Sequence, residues 1–159
     1  MRVIRHGVAA VVLAGALLGM AQAAGEPLAL KVAAPEGVIT ESSAGLEVTM
    51  TNTSSRNITL VKSNPGCDFG AEVRDAEGRS VELTAAGMEL TRCKQRLLLG
   101  RWIEVTLKPG ESTEESYPVE LYYELQRPGV YAVRLSREVP SSAGGGVVKS
   151  NEVTLILGK

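Results

Sequence analysis

The stretch YPVELYYELQRPGVYAVRLSR, residues 117–137, decides the fold because it places an aromatic-rich segment directly before a Pro-Gly turn and a strand. It holds four of the six aromatic residues of the chain, Tyr117, Tyr122, Tyr123 and Tyr131. A tyrosine at such a corner buries its ring and ties its hydroxyl to the backbone, which holds one sheet against another. The stretch therefore predicts a structural corner, with an aromatic binding patch as the alternative. The corner residues are Tyr122, Pro128, Gly129 and Tyr131.

The strand after this turn shows a pattern that recurs along the chain. Apolar residues alternate with small or polar ones, which is typical of half-buried strands. The alternating sets are 28/30/32, 46/48/50, 69/71/73, 103/105/107, 131/133/135 and 153/155/157. Shorter candidates lie at 58–61 and 80–83, and turn residues at 52–57, 63–66, 75–78, 108–111 and 141–146 separate the strands. Seven or eight such strands predict an all-β, antiparallel, immunoglobulin-like β-sandwich with one short helical turn at 119–125.

The N-terminal segment predicts export. Arg2 and Arg5 precede an apolar run over residues 7–20, and Ala21-Gln22-Ala23 follows with the small-x-small pattern of a signal-peptidase site. The run is too short to span a bilayer, and no cysteine follows it, so we expect neither a membrane span nor a lipid anchor. The prediction is a signal peptide over residues 1–23 and one domain over 24–159, in the periplasm or secreted.

Removing the signal peptide changes the available chemistry. The remaining chain carries 15 basic and 18 acidic groups, which argues against nucleic acid as a partner. The only histidine, His6, leaves with the signal peptide. Nucleophilic sites that need histidine and the usual histidine-containing zinc sites are thereby excluded. The sequence predicts no catalytic residue, no metal site and no cofactor.

The two cysteines, Cys67 and Cys93, are expected to form one disulfide. An exported chain with a single cysteine pair most often joins the two thiols. The CysxxCys spacing of redox proteins is missing. Trp102 follows the second cysteine, so the bridge is not the intersheet disulfide of antibody domains.

The segment around Cys93 offers a possible partner-binding surface. If residues 92–96 form a strand, Arg92, Lys94 and Arg96 project from one face, with Arg101 close by, and Cys93 points inward. Two interpretations are open for these cations. They form a site that binds an anion or an acidic protein, or they form a solvated strand face whose charges keep other strands from pairing with this edge. Trp102 is either an exposed anchor for a partner or turned into the core by a bulge at Gly100.

Four motifs resemble exported immunoglobulin-like domains of bacteria. They are VTMTNT (48–53), LKPGES (107–112), ELYYELQRPGVYAV (120–133) and SNEVTL (150–155). The chain is similar also to the N-terminal prosegment domain of deuterolysin-type metalloproteases. The HisGluxxHis helix of the protease domain is absent from the sequence. The resemblance implies the sandwich fold and a free-standing domain of the binding or inhibitory kind.

Three functional hypotheses follow. The leading one is a non-catalytic, exported domain that recognises another protein or a cell-envelope macromolecule. The second is a protease inhibitor or prosegment-like domain that blocks an enzyme with an exposed loop such as 87–99. The third and weakest is a carboxylate-based glycan hydrolase, because paired acids need no histidine.

Overall fold

The computed structural model describes residues 25–39, 44–90, 93, 102–125 and 128–158. The predicted signal peptide lies outside these residues. Within them the chain forms nine strands, three short α-helices and one 3-10 turn. In chain order these are β1 (Leu28–Ala33), β2 (Val38–Ile39), β3 (Gly45–Asn52), β4 (Ile58–Lys62), α1 (Pro65–Asp68), β5 (Gly70–Arg74), α2 (Ala85–Leu90), β6 (Ile103–Leu107), β7 (Ser112–Pro118), α3 (Val119–Tyr122), β8 (Gly129–Glu138), the 3-10 turn (Ser141–Ala143) and β9 (Val147–Leu157).

The strands form three sheets. The first has the order β1-β3-β7, the second β2-β9-β8-β5, and the third is a two-stranded ribbon of β4 and β6. All neighbouring strands are antiparallel except β2 and β9, which are parallel. One hydrophobic core takes residues from all three sheets. The predicted all-β class is confirmed.

The alternation of apolar residues places the strands of both larger sheets on this core. Every second residue of β1 and β3 is buried, as are Tyr131, Val133 and Leu135 in β8. In β9 the buried face changes phase along the strand, because its register with β8 shifts between Arg134 and Ser136. Val148 is therefore buried in the first half of β9, which the alternation at 153/155/157 does not predict.

The helices exceed the single turn that the sequence predicts. The predicted turn is present as α3, and α1 and α2 are additional. In α1, the Asn64 side chain accepts a hydrogen bond from Gly66 N (2.9 Å) and Pro65 occupies the first turn, which together start a helix. In α2, Thr84 Oγ1 accepts from Gly87 N (3.0 Å) in the same way.

One strand prediction also needs correction, and two strands of the structure are not predicted. The segment 80–83 forms only isolated bridges, one between Arg74 and Ser80 and one between Leu83 and Tyr123. The unpredicted strands are β2, with two residues, and β7, since neither falls in any of the alternating sets. No helix in the described part of the chain is long and apolar enough to cross a membrane.

Candidate interaction surface on the β4–β6 ribbon

The ribbon of β4 and β6 packs one face on the core and exposes the other. Ile58 lies opposite Leu107, and both are buried together with Leu60. On the opposite face the hydroxyl oxygens of Thr59 and Thr106 lie 2.9 Å apart. Because side chains alternate between faces along a strand, one set of residues shares this exposed side. We call it the outer face, and it consists of Thr59, Val61, Trp102, Glu104 and Thr106.

Trp102 is the largest side chain at this surface. It directly precedes β6 and is 52% exposed. The sequence leaves its orientation open between core and solvent, and the structure places it toward solvent. Val61, which is diagonal to Trp102 across the ribbon, is 43% exposed. An exposed tryptophan beside an exposed valine is the kind of apolar surface that binds a partner.

Ile103 is a second exposed apolar residue of β6, but it is out of phase with Trp102 and therefore projects from the other side of the strand. The alternation 103/105/107 predicts a buried side chain at this position, and this prediction is wrong because Ile103 is 62% exposed. The residue opposite Ile103 is Lys62, whose side chain turns to β7. No apolar neighbour on β4 therefore covers Ile103. Leu60 is the last buried residue of β4.

Lys62 joins the ribbon to β7. Its Nζ lies 3.6 Å from Glu115 Oε2 and donates a hydrogen bond to the carbonyl oxygen of Glu114 (3.1 Å). Both charged side chains are mostly buried. Burial raises the pKa of the Glu115 carboxyl, and the positive charge of Lys62 only partly opposes this rise. The ionised carboxylate is therefore less favourable here than in water.

Arg137 joins the ribbon to β8. It is 6% exposed, and its Nη2 donates a hydrogen bond to the carbonyl oxygen of Val61 (2.6 Å). Its guanidinium lies 4.0 Å from Asp68 Oδ2 and 5.0 Å from the centroid of the Phe69 ring. Burial lowers the pKa of Arg137, and the negative charge of Asp68 opposes this. The sequence contains the signal for this burial, because Arg137 is in phase with Tyr131, although no role is predicted for it.

The disulfide between Cys67 and Cys93 is present, as predicted, with the two Cα atoms 5.5 Å apart. It joins α1 to the segment that follows α2. Cys93 is helical in the structure, so it does not lie on the strand considered for residues 92–96.

Most of the other possible partner-binding residues lie outside the described residues. These are Arg92, Lys94, Arg96 and Arg101. Of the loop 87–99, residues 87–90 are in α2, which replaces the predicted loop at that end.

The tyrosine-rich stretch lies in the core. Tyr117, Tyr122 and Tyr131 are buried, Pro128 directly precedes β8, and Gly129 is the first residue of that strand. The hydroxyl of Tyr122 donates to Asn64 Oδ1 at 2.8 Å. The structural role of the corner thus has a physical basis, since the ring is buried and the hydroxyl is paired.

Tyr123 makes the contact with backbone that such a corner needs. Its hydroxyl donates to the carbonyl oxygen of Ala71 in β5 at 2.8 Å. Tyr117 packs edge-on against Phe69, with the ring centroids 6.2 Å apart. Burial raises the pKa of the Tyr117 hydroxyl well above its ordinary value. These contacts connect β7 and α3 to β5.

An acidic groove of about 630 Å³ lies between the 75–79 turn and the tyrosine corner. It bears on the glycan hydrolase hypothesis, which requires one carboxyl with a raised pKa. Partial desolvation raises the pKa of Asp75, but hydrogen bonds from the backbone and side chain of Arg79 outweigh it and leave the pKa lowered. Arg79 also pairs with Glu77 at 2.9 Å. These contacts give Asp75 and Glu77 a role in holding the turn.

Comparison with known proteins gives no family for the chain. The sequence matches no protein-family model, and the search of curated proteins found no match. Among solved structures, it is similar to a β-glucuronidase of Bacteroides uniformis at 14% identity, with a TM-score of 0.38. It is similar also to β-glucuronidase 2 of the same organism, covalently bound to cyclophellitol-6-carboxylate aziridine, at 12% identity and a TM-score of 0.37. Each alignment covers 80% of this chain and 13% of the glucuronidase chain, so the likeness carries no argument about activity.

Proposed function

We propose that this chain is a non-catalytic, exported domain that binds another protein through the outer face of the β4–β6 ribbon. Export is supported by the signal-peptide pattern at residues 1–23 and by the Cys67–Cys93 disulfide, which is compatible with an oxidising compartment. The resemblance to exported immunoglobulin-like domains agrees with a binding role.

The exposure of Trp102 carries the proposal. Tryptophan is enriched among the residues that dominate binding energy at protein interfaces, and its burial by a partner removes a large apolar area from water. Val61 adds apolar surface on the same face. Thr59, Glu104 and Thr106 surround this centre with polar groups, as the rim of an interface requires.

The ribbon is held in place before any partner arrives. Lys62 connects it to β7, and Arg137 connects it to β8. At its other end, the Asn52 side chain donates to the carbonyl oxygen of Leu107 at 2.9 Å. A rigid binding surface loses less conformational entropy on association, which favours affinity.

Site-specific photo-crosslinking in the native host tests this proposal. A photoreactive amino acid replaces Thr106 on the outer face or, as a control, Leu121, which is 50% exposed in α3. We expect an adduct with a second protein from position 106 and none from position 121. Adding Trp102→Ala should abolish the adduct.

The identity of the adduct separates the hypotheses. A peptidase crosslinked from position 106 selects the inhibitor or prosegment-like role, and a non-enzymatic envelope protein selects the general binding role. Adducts of equal yield from positions 106 and 121, or adducts unaffected by Trp102→Ala, contradict the proposed surface.

A further inference from the structure

Side chains bond to backbone groups at the edges of both outer strands in the first sheet. The amide of Asn151 in β9 bonds twice to Val32 in β1: its Oδ1 accepts from Val32 N, and its Nδ2 donates to Val32 O, each at 2.9 Å. Lys62 Nζ donates a hydrogen bond to the carbonyl oxygen of Glu114 in β7. Such bonds use the backbone groups to which another chain would pair.

Backbone groups at the edges of the second sheet and of β4 are bonded in a similar way. Arg137 bonds to the carbonyl oxygen of Val61 in β4, and Tyr123 bonds to that of Ala71 in β5. The remaining edge strand of the second sheet, β2, has only two residues, which limits pairing by its length.

The outer edge of β6 differs from all of these. The carbonyl oxygen of Val61 points to Arg137 and hence away from β6, and Glu104 is the residue opposite Val61. In an antiparallel ladder, two opposed residues direct their backbone groups either both toward or both away from each other. The backbone N–H and C=O of Glu104 and Thr106 therefore face outward, and no described residue bonds to them.

The sequence of this edge is complementary to itself. When WIEVTLK (102–108) pairs antiparallel with a second copy about Val105, all five residues of β6 overlap. Ile103, which is exposed in the single chain, then lies opposite Leu107 of the second copy, whose side chain is buried in its own core. On the other face, Glu104 lies opposite Thr106 of the second copy and is diagonal both to its Lys108 and to its Glu104, so that two Glu–Lys attractions oppose one Glu–Glu repulsion in the dimer.

We propose that two copies of this chain associate through β6, by antiparallel pairing of the two strands about a two-fold axis at Val105. Outward-facing backbone groups meet in this register, because Glu104 of one copy pairs with Thr106 of the other. A register centred on Glu104 is excluded, since it opposes two carboxylates.

Lys108 is available for the contact between copies. Its present ion pair with Glu111 spans 3.7 Å and is largely exposed, and such surface pairs contribute little to stability. In the dimer Lys108 also lies opposite Trp102 of the second copy, where a cation over an indole ring is favourable. These matched charges favour a second copy over an unrelated extended peptide. The inference goes beyond the proposed function because it concerns the backbone edge of β6 and a second copy of this chain, although Trp102, Glu104 and Thr106 of the outer face take part in it.

Sedimentation equilibrium of the purified protein tests the pairing through its charges. We expect a concentration-dependent dimer in the wild type. Glu104→Lys and Lys108→Glu should each raise the dimer Kd about tenfold, because each change occurs twice in a two-fold contact. The double variant restores opposite charges and should return to within about threefold of the wild-type Kd. Double and single variants that are equally weak would overturn the register.

Thr106→Pro tests the backbone contact. Proline is tolerated at an edge position whose N–H faces solvent, so the monomer should keep its denaturant midpoint while the dimer is lost. Amide hydrogen exchange adds a second measurement: protection of Glu104 and Thr106 should rise with protein concentration. A wild type that is monomeric up to about 1 mM overturns the proposal. In that case the alternative is that the β6 edge pairs with an extended segment of another protein. Loss of the dimer in Lys108→Glu, a residue outside the outer face, with retained crosslinking from position 106 to a different protein leaves the proposed function intact.

Discussion

The side chain of Asn52 joins the end of β3 to the end of β6 through a hydrogen bond from its Nδ2 to the carbonyl oxygen of Leu107, 2.9 Å long. Nδ2 also donates to Arg56 O at 2.7 Å, and Oδ1 accepts from both the backbone N (2.9 Å) and Oγ (2.7 Å) of Ser54. Asn52 is fully buried, and every hydrogen-bonding position of its amide is used. One residue thus fixes the 52–57 loop and the C-terminal end of β6.

Asn52→Asp should destabilise the fold by about 3 kcal/mol, because a carboxylate cannot donate and would face two carbonyl oxygens without water. The matched control is Asn57→Asp in the same loop, where the side chain is exposed and a change below about 0.5 kcal/mol is expected. Urea unfolding of the two variants gives both values. Similar midpoints for both would show that the bonds of Asn52 contribute little.

Tyr131→Ala should lower the free energy of unfolding by about 3 to 5 kcal/mol, the usual cost of removing a buried aromatic side chain. The ring is 6% exposed within the core, whereas the neighbouring Val130 is 44% exposed. Val130→Ala should therefore change stability by less than about 0.5 kcal/mol. Equal denaturant midpoints for the two variants would place the tyrosine-rich stretch at the surface.

The sequence predicts much of this fold because strand periodicity records which face is buried. The sets 28/30/32, 46/48/50 and 131/133/135 each lie in the core of the structure. The prediction fails where the residue opposite a strand position makes a tertiary contact elsewhere and leaves that position uncovered. Ile103 follows the alternation but is exposed, since Lys62 opposite it bonds to β7.

Local cap chemistry explains the helices that the periodicity does not show. The turn-forming residues at 63–66 include Asn64 before Pro65, a combination that starts a helix as readily as it reverses a chain. Arg137 illustrates another limit. Its position in phase with Tyr131 indicates burial, but its partner Asp68 is 69 residues away in sequence, and only the fold brings the two together.

Removal of the disulfide by Cys67→Ala and Cys93→Ala together should cost about 3 to 4 kcal/mol, because the bridge closes a loop with a sequence separation of 26. Reductant should lower the denaturant midpoint of the wild type and leave that of the double variant unchanged. Intact-mass analysis after alkylation, without reduction, should find no free thiol in the exported protein. Two alkylated thiols at that step would mean that the chain is not oxidised where it functions.

Glu115→Gln should change how stability depends on pH. The pKa of Glu115 is raised in the folded chain above its ordinary value of 4.5, so its contribution favours folding below pH 4.5 and is lost as pH rises through the raised pKa. The free energy of unfolding of the wild type, minus that of Glu115→Gln, should therefore fall as pH increases from 4.5 and then level off. The exposed neighbour Glu114 provides the control variant, Glu114→Gln. Urea unfolding at a series of pH values gives both differences. If the Glu115 difference instead rises with pH, the attraction of Lys62 outweighs the burial of the carboxylate, and the pair holds the ribbon by its charge.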